Sequence, residues 1–288
     1  MFNYDVERLK AALTEIIIQN ISPDARGWLQ TQAGTPASAA AFNGAFAALP
    51  RKTGKALVNI STETAAELSA IRKNFSIEGW SVDRLARVWL LLQPDATDKS
   101  AYQRSIETLF LAAEMNELVA LYSALPLLAY PEIWVHRCTE GNRSNIGIVL
   151  EAQMYHNPYP AENLPQPAWN QLVLKAFFTE KRLDLITGLD ERANIELAHT
   201  LSDYARERWA AGRKTDPMLW RLVGRFIDDK IFDDINIGIA NNDSLEKEAI
   251  ALAITESDYQ PAKDLLNQND VLQAAAGKKT NWESFINQ

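Results

Sequence analysis

Asn194-Ile195-Glu196-Leu197-Ala198-His199-Thr200-Leu201-Ser202-Asp203-Tyr204-Ala205-Arg206-Glu207-Arg208-Trp209-Ala210-Ala211 is the stretch that decides the fold. Leu197, Leu201, Tyr204, Ala205 and Arg208 recur at spacings of three and four, which places them on one side of a helix. Asn194 stands where an N-cap belongs. Almost nowhere does the chain alternate apolar and polar residues over six positions, so strand signals are nearly absent.

The same helical spacing recurs on both sides of this stretch. Toward the N-terminus, Val6, Leu9, Leu13 and Ile16 or Ile17 form a stripe that Asn20 to Pro23 ends. Ala37 to Leu49 is alanine-rich, with Phe42 and Phe46 four apart, and Pro50 is expected to stop it. Thr62 to Lys73 follows. Ser81 then precedes Val82, Leu85, Val88, Trp89 and Leu92 as an N-cap. Ala101 to Ala113 and Asn116 to Leu125 form a pair. Further helices are expected over Glu132 to Thr139, with Gly141 as C-cap, and over Ser144 to Tyr155. His156 to Pro167 holds four prolines in twelve residues and reads as an ordered, extended connection. Trp169 to Phe178 is an apolar helix. Beyond the opening stretch, Pro217 starts a helix with Asp216 as cap, and Ser244 to Ile254 and Pro261 to Leu272 add two more. The last ten residues look polar and frayed. The expectation is one all-α domain over residues 1–288, built of antiparallel helical pairs and compatible with a short curved HEAT- or solenoid-like array. No exact repeat of fixed period is visible.

Composition narrows the function classes. The chain has 288 residues, a net charge of −8 and a pI of about 5.1. That argues against a general affinity for nucleic acid or for an anionic membrane surface. The single cysteine, Cys138, cannot form an intrachain disulfide. The first residues lack a basic region leading into an apolar core, and the most apolar window, Leu118 to Pro131, falls short of the ~20 residues a span needs. The expected location is the cytoplasm.

Several familiar sites are excluded by spacing. Arg51 to Lys55 lacks the second glycine and the hydroxyl residue of a phosphate loop. His136, His156 and His199 form no pair at zinc-ligand spacing. Asp228, Asp229, Asp233 and Asp234 lack the alternation and glycine of a calcium loop and read as a solvated helix end. No serine elbow or dinucleotide fingerprint appears. No metal or cofactor is expected.

Unusual polar residues beside aromatics concentrate between Tyr155 and Arg221. Arg143-Ser144-Asn145, Asn157-Pro158-Tyr159-Pro160, Trp169-Asn170-Gln171, Gly188 through Asn194, Glu207 through Arg213 and Leu219-Trp220-Arg221 occur there or just before, in one order. Together they resemble the EboA family, with weaker echoes at Leu85-Ala86-Arg87, Met115 to Leu118 and Leu125 to Leu128. The similarity runs from Leu85 to about Phe226. The resemblance implies a place in a pathway rather than a defined reaction. The family's genes are associated with clusters that encode a UbiA-like prenyltransferase, a TatD-like hydrolase, isomerase-like barrels and a cyclase resembling dehydroquinate synthase. In cyanobacteria that cluster is linked to export of a pigment precursor.

The candidate site residues carry two readings each. Arg143, Lys175, Asp190, Glu191, Arg192, Glu207, Arg208, Arg213 and Arg221 sit beside tryptophan, leucine or alanine rather than in charge runs. They form either an interhelical salt-bridge network or a pocket where Arg143, Lys175 and Arg208 meet a phosphate or carboxylate. Asn145, Asn157, Asn170 and Asn194 are cappers first and ligand readers second. His156 and Tyr159 open the proline segment and complete the set. The groove is expected along His156–Pro167 and the opening helix. Three functions follow: an accessory binding protein for an anionic or isoprenoid metabolite, working with other pathway proteins such as the prenyltransferase; an enzyme using Lys175, Asp190, Arg208 and His156; or a structural scaffold.

Overall fold

All regular structure among the described residues is helical, in a computed structural model that describes residues 1–240, 243–278 and 281–286. An isolated antiparallel bridge joins Leu57 and Ser81. The all-α expectation therefore holds. The helices fall into two compact units, Met1–Pro165 and Gln166–Gln288.

The first unit contains α1 (Val6–Gln19), α2 (Pro23–Gln30), α3 (Ala39–Thr53), α4 (Thr62–Ile71), α5 (Val82–Leu91), α6 (Lys99–Ala112), α7 (Met115–Ala124), α8 (Val135–Gly141), α9 (Gly147–Met154) and α10 (Tyr159–Asn163). Asp5, Ser22, Ser38, Ser61 and Asp98 each cap a helix by accepting a backbone N–H. Ser81 holds the expected cap position, but its side chain makes no capping bond. The unit is organised around α5, which packs against α1, α3 and α7, and α7 packs in turn on α9. Val82, Leu85, Ala86, Val88, Trp89, Leu90 and Leu91 are all buried, and so are the charged Asp83 and Arg87, so α5 is enclosed by its neighbours as a central helix must be.

Pro50 does not stop α3, which continues to Thr53 and ends where Gly54 takes φ 78°. A proline inside a helix leaves the carbonyl four residues back without its donor. Here that carbonyl belongs to Phe46, and Arg87 Nε of α5 donates to it at 3.2 Å. Arg87 is buried with Asp83 (3.1 Å) and Glu117 (3.7 Å) as counter-charges. A side chain 41 residues away thus repairs the helix.

The proline segment is also less extended than its sequence suggests. Asn157 Oδ1 accepts from Tyr159 N at 3.0 Å and starts the short helix α10. Glu162 of α10 forms a two-point ion pair with Arg72, whose Nε also donates to Pro126 O at 2.9 Å.

The second unit contains α11 (Gln166–Phe178), α12 (Ile195–Ala210), α13 (Asp229–Ala240), α14 (Ser244–Thr255), α15 (Gln260–Gln268) and α16 (Asp270–Lys278). Its centre is α14, which contacts α13, α15, α16 and the 3-10 segments Pro217–Leu222 and Gly224–Phe226. The helix expected over Pro261 to Leu272 is broken at Asn269. That side chain accepts from Val271 N and Leu272 N, both at 3.1 Å, and so caps a second helix. The C-terminal residues also differ from expectation: Trp282–Phe285 form a 3-10 turn with both aromatic rings buried. The acidic cluster is a solvated helix end only in part: Asp229 and Asp233 are exposed at the start of α13, but Asp234 is not. Asp234 is 1% exposed, accepts from Ser202 Oγ at 2.8 Å and faces Arg206 at 3.4 Å.

Candidate functional site

The asparagines act mostly through backbone. In the first unit, Asn157 Nδ2 donates to Tyr122 O (3.0 Å) and Ala152 O (3.1 Å), tying α7 to α9. In the second, Asn170 of α11 and Asn194 exchange amide bonds of 3.2 and 2.9 Å, while Asn194 Oδ1 caps α12 through Leu197 N. This amide pair joins two helices and is complete in itself. Asn145 is exposed.

The remaining candidates of the first unit are spread out. Tyr159 is buried and donates to Pro131 O at 2.5 Å, and burial raises its hydroxyl well above the usual tyrosine range. His156 adopts φ 51° and lies 3.9 Å from Glu78. That left-handed conformation is uncommon outside glycine. Arg143 is exposed in the turn after α8.

In the second unit, Asp190 receives two bonds from Arg221, at 2.8 and 2.6 Å. Those bonds raise the Arg221 guanidinium above its ordinary value. The Arg192 guanidinium lies 5.2 Å from the centre of the Trp169 ring, and burial lowers its pKa. Lys175 sits partly buried in the last turn of α11. Arg208 makes no ion pair among the described residues. Its Nε and Nη2 donate to Lys214 O at 2.8 and 2.6 Å, and its planar end faces Tyr204.

Arg208 is also the one member of the predicted set that borders the cavity of about 470 Å³ in the second unit. The cavity opens between the end of α11, the end of α12, the turn before the Pro217–Leu222 segment and the C-terminal 3-10 turn. Phe177, Leu183, Met218 and Phe285 supply apolar surface. Lys181, Arg182, Lys214, Asp184 and Asp216 supply charge beside Arg208. Arg182 is paired with Asp184, and Lys214 with Asp243 at 2.9 Å. Sequence reasoning missed most of this lining. The pairs Lys181-Arg182 and Arg213-Lys214, each three residues past the end of a helix, were the available signal.

The turn that presents Arg208 is held by the buried carboxylate of Glu246 on α14. Trp209 Nε1 (2.9 Å), Trp220 Nε1 (3.4 Å) and Thr215 Oγ1 all donate to it. The two indoles stack with centroids 6.2 Å apart. The Lys214–Asp243 pair adds a second tie to the start of α14.

Among the described residues no group of three or more His, Cys, Asp or Glu side chains is arranged to hold a metal ion. No helix among them is long and apolar enough to cross a membrane. No curated protein and no solved structure is similar enough to the chain to match it. A family model described as metabolite traffic protein EboA does match, over residues 9–224. That span takes in all of α1–α12 from Leu9 onward, including the turn that carries Arg208, and the chain accordingly belongs to the EboA family.

Proposed function

We propose that this protein is a cytoplasmic, non-catalytic carrier in a secondary-metabolite pathway and that its cargo sits in the cavity of the second unit. The observation that carries the reading is the mixed lining around Arg208. A volume of about 470 Å³ suits a small molecule. Apolar side chains face one part of such a ligand and a cation without a carboxylate partner faces another. Arginine binds phosphate or carboxylate through paired N–H donors, and Nη1 of Arg208 makes no hydrogen bond among the described residues. An isoprenoid chain ending in an anionic group has both features. The cargo would pass to or from membrane-bound partners such as a UbiA-like prenyltransferase, or to other enzymes of the same pathway.

Calorimetric titration of the full chain with farnesyl monophosphate tests this. The carrier reading expects saturable binding, weakened about tenfold in Arg208→Gln as one charge-assisted contact is lost. The affinity for uncharged farnesol should not change, which separates charge recognition from collapse of the cavity. Absence of saturable binding would favour the scaffold reading. Chemical conversion of the probe would favour an enzyme.

A further inference from the structure

The lining divides by position in the chain. Every charged residue around the cavity lies between Glu180 and Asp216. The three lining residues beyond the family-matched region, Leu245, Phe285 and Ile286, are all apolar. Leu245 stands in the first turn of α14, and Phe285 ends the Trp282–Phe285 turn.

That turn is anchored independently of the cavity. Trp282 Nε1 donates to Glu256 Oε1 at 2.8 Å, at the end of α14. Asn281 Oδ1 accepts from Ser284 N at 3.1 Å and caps the turn. The Trp282 and Phe285 rings lie 5.7 Å apart, and the turn packs on the Pro217–Leu222 segment. Phe285 is therefore held in the wall by a strap whose own attachment is Trp282.

We infer that Leu245, Phe285 and Ile286 form a specificity wall that measures the apolar part of the ligand, while the Arg208 turn reads its charge. This rests on the carrier reading of the same cavity. The division has a physical consequence. Affinity gained from an apolar wall grows with the area buried against it, at most about fourfold per buried methylene. Affinity gained from one guanidinium contact is the same for every chain length.

The test is the affinity of a series of n-alkyl phosphates, butyl to octyl, for the full chain and for Phe285→Ala, Leu245→Ala and Arg208→Gln. In the unsubstituted protein affinity should rise roughly two- to fourfold with each methylene. Phe285→Ala and Leu245→Ala should flatten that slope, costing octyl phosphate about tenfold and butyl phosphate less than about twofold. Arg208→Gln should lower all members equally. Leu245 and Phe285 lie on different elements, so if one substitution unfolds the protein, as thermal unfolding would show, the other still carries the test. A slope left intact in the folded wall variants overturns the wall and leaves the carrier reading standing. No binding of any alkyl phosphate by the unsubstituted protein overturns both.

Discussion

Glu246 is the carboxylate that Trp209, Trp220 and Thr215 share, and it is 3% exposed. Burial raises its pKa, and the three donated bonds only partly offset that. The folded state therefore binds this proton more tightly than the unfolded state. Its contribution to stability is full below the ordinary glutamate value, near 4.5, and is lost as pH rises through the raised folded value. Glu246→Gln removes the titration and keeps the size. The stability difference between protein and variant, from urea unfolding between pH 4 and 8, should favour the unsubstituted protein most at the acid end. It should then shift toward the variant by about 1.4 kcal/mol for each pH unit by which the folded value exceeds the unfolded one. A difference that does not move with pH would mean that the carboxylate is as well solvated as in the open chain. The remaining carboxylates titrate in both proteins and cancel in the comparison.

At the scale of elements, each unit is organised around one helix buried on every side, and its neighbours are fitted to it closely. The 3-10 segment Gly224–Phe226 approaches α14 so tightly that a Cβ on Gly224 would lie 2.9 Å from Ala253 O and 3.1 Å from Ala253 Cα. Both are backbone atoms and cannot swing aside. Gly224→Ala should cost about 1–3 kcal/mol through overpacking. Gly44, inside α3, has open space where a Cβ would stand. Gly44→Ala should stabilise by about 0.5–1 kcal/mol through helix propensity. Thermal unfolding of the two variants side by side checks the opposite signs; two destabilised proteins would contradict the open face of α3. The same elements show what a reader of sequence sees. The helix over Ile195–Ala210 and its Asn194 cap are legible because periodicity and capping are local. The run of α3 through Pro50 is not legible, because the donor that makes it tolerable sits on Arg87. The break at Asn269 is local in cause, yet the apolar spacing on either side runs straight across it. The cavity was the least legible of all. Its lining gathers from five separated stretches, and within the predicted set only Arg208 belongs to it, while the amide and ion pairs of Asn170, Asn194, Asp190 and Arg221 are satisfied by one another.

At the scale of the whole molecule, the family-matched region ends at Gly224, before the helix that centres the second unit. Leu219, Trp220, Leu222 and Val223 are buried, and the segment that carries them packs on α14. Trp209 and Trp220 find their shared acceptor there. A chain stopped after Gly224 would leave those four apolar side chains and two indole N–H groups without partners, a loss of several kcal/mol against a domain stability of about 5–15 kcal/mol. The first unit is different: its central helix α5 and the helices α1, α3 and α7 that pack on it lie before residue 165. The truncated chain should therefore keep a cooperative unfolding transition from α1–α10 and lose all ordered structure after Pro165. Limited digestion with subtilisin, a protease of broad specificity, followed by mass spectrometry reads this directly, with a resistant fragment ending near residue 165 in the truncated chain and protection extending through α14 in the full one. A resistant fragment covering residues 166–224 in the truncated chain would show that the second unit stands without α14. In that case the assignment of α14 as its centre, and of Glu246 as the anchor of the Arg208 turn, would fall together.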